Sequence, residues 1–172
     1  MRMIHTRSIQ TPIGEMYAGA TENGICMLEY DDPTRIKKHK SAFSDNYELR
    51  EADPSNELLT QLEKELEAYF KMESKTFDVA LDLIGTDFQQ KVWTELLNIP
   101  FGVTRSYLDQ SKSVGDVNAI RAVANANGQN RISIVVPCHR VIGSNGSLTG
   151  YGGKLWRKKF LLELESNQGS LF

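Results

Sequence analysis

The spacing of apolar residues changes once along this 172-residue chain, near Gly85, and that change limits it to a small sheet with a helix followed by a run of helices. Met3 to Ile9, Met16 to Ala20 and Ile25 to Tyr30 alternate apolar and polar side chains, punctuated by Thr11-Pro12-Ile13-Gly14 and by Asn23-Gly24. An Asn-Gly pair between alternating runs is the strongest short hairpin signal, so a small antiparallel sheet is expected here. Residues 31–52 are highly charged (DDPTRIKKHK, then ELREAD) and read as a loop with, at most, a short peripheral helix. From Asp53-Pro54 onward, Leu58, Leu59, Leu62, Leu66, Tyr69 and Phe70 recur at helical spacing, which predicts an amphipathic helix packed on the sheet; Val79 to Leu83 reads as a further strand.

After Gly85 the signals are helical. Thr86 with Gln89 forms a capping-box signature, and Phe88, Val92, Trp93, Leu96 and Leu97 predict a helix stopped by Pro100 and Gly102. Ser106 with Asp109 repeats that signature for a short helix ending at Gly115, and a third helix is expected over about Val117 to Asn127. Two short helices joined by a Gly-containing turn have the shape of a helix-turn-helix. The expected fold is therefore an α/β amino-terminal domain over 1–84 and a mostly α carboxy-terminal domain with a helix-turn-helix over 85–172.

Composition narrows the function classes. With 40% hydrophobic and 24% charged residues, disorder and fibrous repeats are excluded. No window approaches the roughly 18 consecutive apolar residues of a membrane span, and the start lacks a signal-peptide core, so a cytoplasmic location without membrane contact is expected. The net charge of −2 hides an asymmetry. Residues 1–85 carry 10 Lys or Arg against 16 Asp or Glu, a balance of −6, whereas residues 86–172 carry 10 against 6, a balance of +4. A positive half beside a negative one suits an anionic partner for the former. Cys26 and Cys138 are not expected to pair in a reducing compartment. His5, Cys26 and His39 show no paired ligand spacing such as C-x-x-C, so no metal and no cofactor are expected, and Cys26 reads as a core thiol.

Two stretches carry candidate chemistry. In the third helix Ala119, Ala122, Ala124 and Ala126 surround Arg121, a slim rod with one long cation that suits close approach to a duplex, where an arginine can enter a groove or fill a gap in the base stack. The same pattern also suits close helix packing with a solvated arginine. Further on, Ile132, Ile134, Val135 and Val136 lead into Pro137-Cys138-His139-Arg140. A cysteine so flanked is either inert core or a nucleophile. An ordinary thiol, with a pKa of about 8.5, is only a few per cent ionised at neutral pH and needs a proton acceptor or a positive neighbour. His139 and Arg140 offer both, although adjacent residues often point apart.

The run NGQNRISIVVPCHRVIGSNGSLTGYGGKLWRKKFLLELE, with GTDFQQKVWTELLNIPFGVTRSY and AIRAV upstream, resembles the O6-alkylguanine-DNA alkyltransferases over about residues 85 to 165. The resemblance implies direct-reversal DNA repair. An alkyl group on guanine O6, with O4-alkylthymine as a further candidate lesion, passes irreversibly to Cys138, and the target nucleotide is first rotated out of the duplex. It implies that His139 takes the thiol proton through a water, that Glu165 orients the imidazole, and that Asn130 tethers the site. By the same resemblance Arg121 is expected to fill the vacated position in the stack, Tyr107 to crowd the target phosphate and hydrogen-bond the base, and Ser144 and Tyr151 to wall the guanine pocket. The implied partner is double-stranded DNA containing O6-alkylguanine, and a monomer is expected that acts once per molecule, because water does not cleave an S-alkyl thioether.

Glu163 competes with Glu165 for the acid's role. On a helix from Lys154, Glu165 projects between Leu161 and Leu162, whereas Glu163 sits one turn from Lys159. Two positions depart from the family pattern: Ala124 lies near a usual glycine and Arg131 near a usual proline, for which small changes in duplex affinity are expected. Two other readings remain open at this point, a helix-turn-helix DNA-binding module without transfer activity and a Cys-His-Glu hydrolase.

Overall fold

The computed structural model describes residues 1–166 and divides into two compact units, one of Met1–Ile84 and one beginning at Gly85. The first contains a four-stranded sheet of order β3-β2-β1-β4. β1 (Arg2–Thr11), β2 (Gly14–Ala20) and β3 (Ile25–Tyr30) form an antiparallel meander. The loop at Asn23-Gly24 requires glycine because of crowding: a Cβ on Gly24 would lie 2.7 Å from the Ala80 backbone. β3 is buried at every position, including Cys26, which lies in a core cluster with Ile4, Met27, Phe43 and Tyr47.

The charged stretch after β3 is more ordered than its composition suggests. Asp32 caps α1 (Pro33–Phe43), accepting hydrogen bonds from the Thr34 and Arg35 amides, with proline in the first turn. α1 then serves as the crossover to β4 (Tyr47–Glu51), which pairs parallel with β1 and makes the sheet mixed. An edge strand exposes its charged side chains, which is why alternation is faint here. Glu29 of β3 pins α1 in place, with its Oε1 2.7 Å from Arg35 Nε and 2.9 Å from His39 Nε2. The amphipathic helix is α2 (Glu57–Phe70), capped by Asn56 and burying Leu59, Leu62, Leu66, Tyr69 and Phe70. Val79 to Leu83 forms no strand; the segment makes a single bridge, Leu81 to Ile25.

In the second unit Thr86 and Gln89 complete the capping box of α3 (Asp87–Leu96). Ser106 caps α4 (Tyr107–Val114), which stops at Gly115 with φ 102°, a left-handed conformation that glycine adopts without a Cβ penalty. The third helix opens with a 3-10 turn, Val117–Ala119, and continues as α5 (Ile120–Gly128). A buried reciprocal amide pair, Gln110 and Asn127 at 2.7 and 2.6 Å, fixes α4 against α5, and Trp93 Nε1 donates to the Ala126 carbonyl at 2.9 Å to fix α3. The apolar run before the cysteine forms no regular element. It is a succession of tight turns, with Val136 N bonded to Ile132 O at 3.0 Å and Ile134 at φ 72°, an unusual conformation for a β-branched residue. A two-residue parallel pair joins β5 (Arg105–Ser106) to β6 (Val141–Ile142), and α6 (Leu155–Ser166) closes the described chain. No helix among the described residues is long and apolar enough to cross a membrane.

Candidate active site

Cys138, His139 and Arg140 form one 3-10 turn. With three residues per turn, their side chains leave the backbone about 120° apart. Cys138 is partly exposed, whereas His139 and Arg140 are buried. The turn thus presents sulfur outward and aims its two nitrogenous neighbours into the unit. Asn130 steadies the turn from the preceding segment: its Oδ1 accepts from Ile132 N at 3.0 Å, while Nδ2 donates to the Val136 carbonyl at 2.8 Å and to Cys138 Sγ at 3.3 Å.

The acid reaches this turn from α6. Lys158, Leu161, Leu164 and Glu165 form the buried face of that helix. Glu165 Oε2 lies 2.7 Å from His139 Nε2, and its oxygens accept from Arg140 Nε at 2.8 Å and Nη2 at 3.1 Å. Glu163 instead pairs with Lys159 at 3.9 Å on the exposed side. Burial alone would raise the Glu165 pKa, but the hydrogen bonds and charge of His139 and Arg140 outweigh it and hold the carboxyl well below the usual carboxylate range. Burial pushes His139 below its ordinary value; Glu165 pulls the other way, and the charges of Arg140 and Lys158 add to the fall. Burial thus favours the neutral ring over the imidazolium. A neutral ring donating Nε2–H to a carboxylate has its lone pair on Nδ1. That Nδ1 is buried with no hydrogen-bond partner.

Lys158 was not expected from the sequence. It is 1% exposed, donates from Nζ to the Val141 carbonyl at 2.6 Å and the Thr149 carbonyl at 2.9 Å, and interacts electrostatically with Cys138, although burial lowers its pKa. Arg140, read from sequence as the thiol's positive neighbour, directs its guanidinium to Glu165 and to the Ile99 carbonyl at 2.7 Å. Lys158 thus adds a positive charge that the sulfur feels. The available signal was its place seven residues before Glu165 and three before Leu161, on one helical stripe.

The remaining predicted residues lie around this centre to different degrees. Tyr107 opens α4, half buried, and donates its hydroxyl to the Thr149 carbonyl at 3.0 Å. Its pKa is raised by burial first and then by the charge of Cys138. Tyr151 is buried on the same loop, and Ser144 is exposed in the turn before it. Arg121 stands outside the cluster, exposed in the first turn of α5. Arg131 lies over the Trp93 ring, 5.5 Å from its centroid.

Fold and site together define a helix-turn-helix unit that carries a partly exposed cysteine beside a buried histidine–glutamate pair. Residues 4–83 match the ribonuclease-like domain of 6-O-methylguanine DNA methyltransferase, and residues 87–167 match the DNA binding domain of the same family. The chain belongs to the 6-O-methylguanine DNA methyltransferase family. A methylated-DNA–protein-cysteine methyltransferase of Mycobacterium bovis is 45% identical over 96% of this chain and 94% of its own, and one of Methanosarcina acetivorans is 44% identical over 92% and 96%. A crystal structure of Mycobacterium tuberculosis OGT in complex with DNA superposes with a TM-score of 0.80 at 41% identity, covering 97% of each chain.

Proposed function

We propose that this protein repairs DNA by direct reversal, carrying the alkyl group of O6-alkylguanine in double-stranded DNA irreversibly to Cys138 Sγ. One observation carries the reading: His139 commits Nε2 to Glu165 at 2.7 Å and keeps a buried Nδ1 without a hydrogen-bond partner, in the same 3-10 turn as the thiol. In this reading a single water relays the proton between Sγ and Nδ1. The thiol proton passes to the water and the water's proton to Nδ1, and the imidazolium that forms is held by Glu165. Sulfur then attacks the alkyl carbon in line. The S–C bond forms, the C–O6 bond breaks, and guanine leaves with the bonding pair and takes up a proton. The charge on Lys158 favours the thiolate before attack.

Access to O6 requires the nucleotide to leave the stack, at a cost of a few kcal/mol. In this reading Arg121, exposed on a helix whose neighbours are Ala122 and Ala124, occupies the gap. Tyr107 crowds the target phosphate and hydrogen-bonds the base, and Ser144 and Tyr151 line the base's other side. Asn130 holds the turn. In this reading the protein is a cytoplasmic monomer, and it acts once per molecule because water does not cleave an S-alkyl thioether. The test is incubation with a duplex containing O6-methylguanine, followed by peptide mapping. A methyl group on the Cys138 peptide is expected; retained duplex binding with an unmodified chain would instead leave a helix-turn-helix binding module.

A further inference from the structure

We propose that Arg140 is a positioning residue of the transfer reaction, clamping Glu165 in the orientation that engages His139 Nε2 and leaves Nδ1 as the base. The inference rests on the alkyl-transfer reading and adds to it the group that sets the histidine's tautomer. Arg140 joins three segments. From the 3-10 turn it reaches α6 through two hydrogen bonds to Glu165, and it reaches the segment after α3 through Nη1 and the Ile99 carbonyl, with the Phe101 ring 5.9 Å away. Glu165 Oε1 also accepts from the Gly102 amide at 3.3 Å. The oxygen that meets His139, Oε2, is the same oxygen that meets Arg140 Nη2.

Two consequences follow if the guanidinium is removed. The carboxylate torsion is broad and two-fold, so without the fork the oxygens are no longer directed at Nε2. A carboxylate buried without a cation also takes up a proton more readily. A protonated Glu165 donates to Nε2, the ring proton moves to Nδ1, and the base is lost. The charged groups acting on His139 are Glu165 and Lys158 from α6 and Arg140 from its own turn; of these Arg140 is hydrogen-bonded to both oxygens of the acid. A lysine would keep the charge without bridging both oxygens.

The test uses the full chain as wild type, Arg140→Lys and Arg140→Met. Single-turnover alkylation of Cys138 by free O6-benzylguanine is followed by intact mass across pH, and ¹⁵N spectra of the His139 ring report the tautomer. The wild type should hold the Nε2–H tautomer. Arg140→Met should slow alkylation about a hundredfold, the low end for loss of a general base, with the acid limb moved to higher pH and the proton on Nδ1. Arg140→Lys should fall between the two. A folded Arg140→Met with the wild-type tautomer and pH profile overturns the proposal; should that variant not fold, the same result for Arg140→Lys does so. A wild type that stays unalkylated defeats the alkyl-transfer reading itself.

Discussion

Replacing Glu165 with Gln removes one charge while keeping the shape of the side chain that meets His139. The contact is 2.7 Å between Oε2 and Nε2, which places the centres of charge about 4 Å apart once His139 is protonated; unit charges at that distance attract by about 4 kcal/mol at an effective dielectric constant near 20. The amide oxygen still accepts a hydrogen bond and recovers about 1 kcal/mol. The remaining ~3 kcal/mol acts on the imidazolium that forms as the thiol loses its proton, and corresponds to roughly a hundredfold slower alkylation. The substitution also strips a buried Arg140 of its counter-charge, a loss of about 3–5 kcal/mol in stability. The assay is therefore single-turnover uptake of a benzyl group by intact mass, at a temperature where circular dichroism shows the variant folded. A folded Glu165→Gln that reacts within threefold of wild type would refute the charge argument, as would a loss of duplex affinity equal to the loss of rate.

Cys138→Ala should abolish transfer and leave duplex affinity nearly unchanged, measured by fluorescence anisotropy; equal loss of both would make the residue structural. Arg121→Ala should slow repair of duplex far more than reaction with free O6-benzylguanine, because the free base needs no extrusion; equal slowing would remove its role in the stack. The folded state should weaken in acid. Glu165 and His139 both have pKa values below their ordinary 4.5 and 6.5, so the unfolded chain binds more protons at low pH, and stability present above about 6.5 is lost as pH falls. Thermal melts across pH check this, and a Tm that rises on acidification would contradict it. Glu29→Gln should destabilise the first unit by about 3 kcal/mol, the lower end for a broken buried pair because Arg35 is partly exposed, without altering the rate of O6-benzylguanine reaction per folded molecule.

Local signals were legible where the physics is local. The Thr86–Gln89 box and the Ser106 cap need only neighbouring residues, and the structure contains both. The leucine stripe of α2 needs only helical period. β4 was hidden because a parallel edge strand depends on β1, far away in sequence, and its own residues are mostly charged. The apolar run of 132–136 gave no sign of its turns, which depend on Asn130 bonding to the Ile132 amide and the Val136 carbonyl. Within the candidate site, Glu165 could be separated from Glu163 by its leucine neighbours on the helix. Lys158 shares that stripe, but a lysine in a basic stretch reads as solvated until its two carbonyl partners, on β6 and on the loop after it, are seen.

The central claim is a single, permanent transfer to one sulfur. Titration of the protein with an excess of duplex carrying isotopically labelled O6-methylguanine, with label counted per chain, tests it most directly. The account predicts a plateau of one label per molecule, all of it on Cys138 and stable to prolonged incubation. Label released to solvent with continued turnover, or chains that remain unlabelled while the lesion persists, would contradict it.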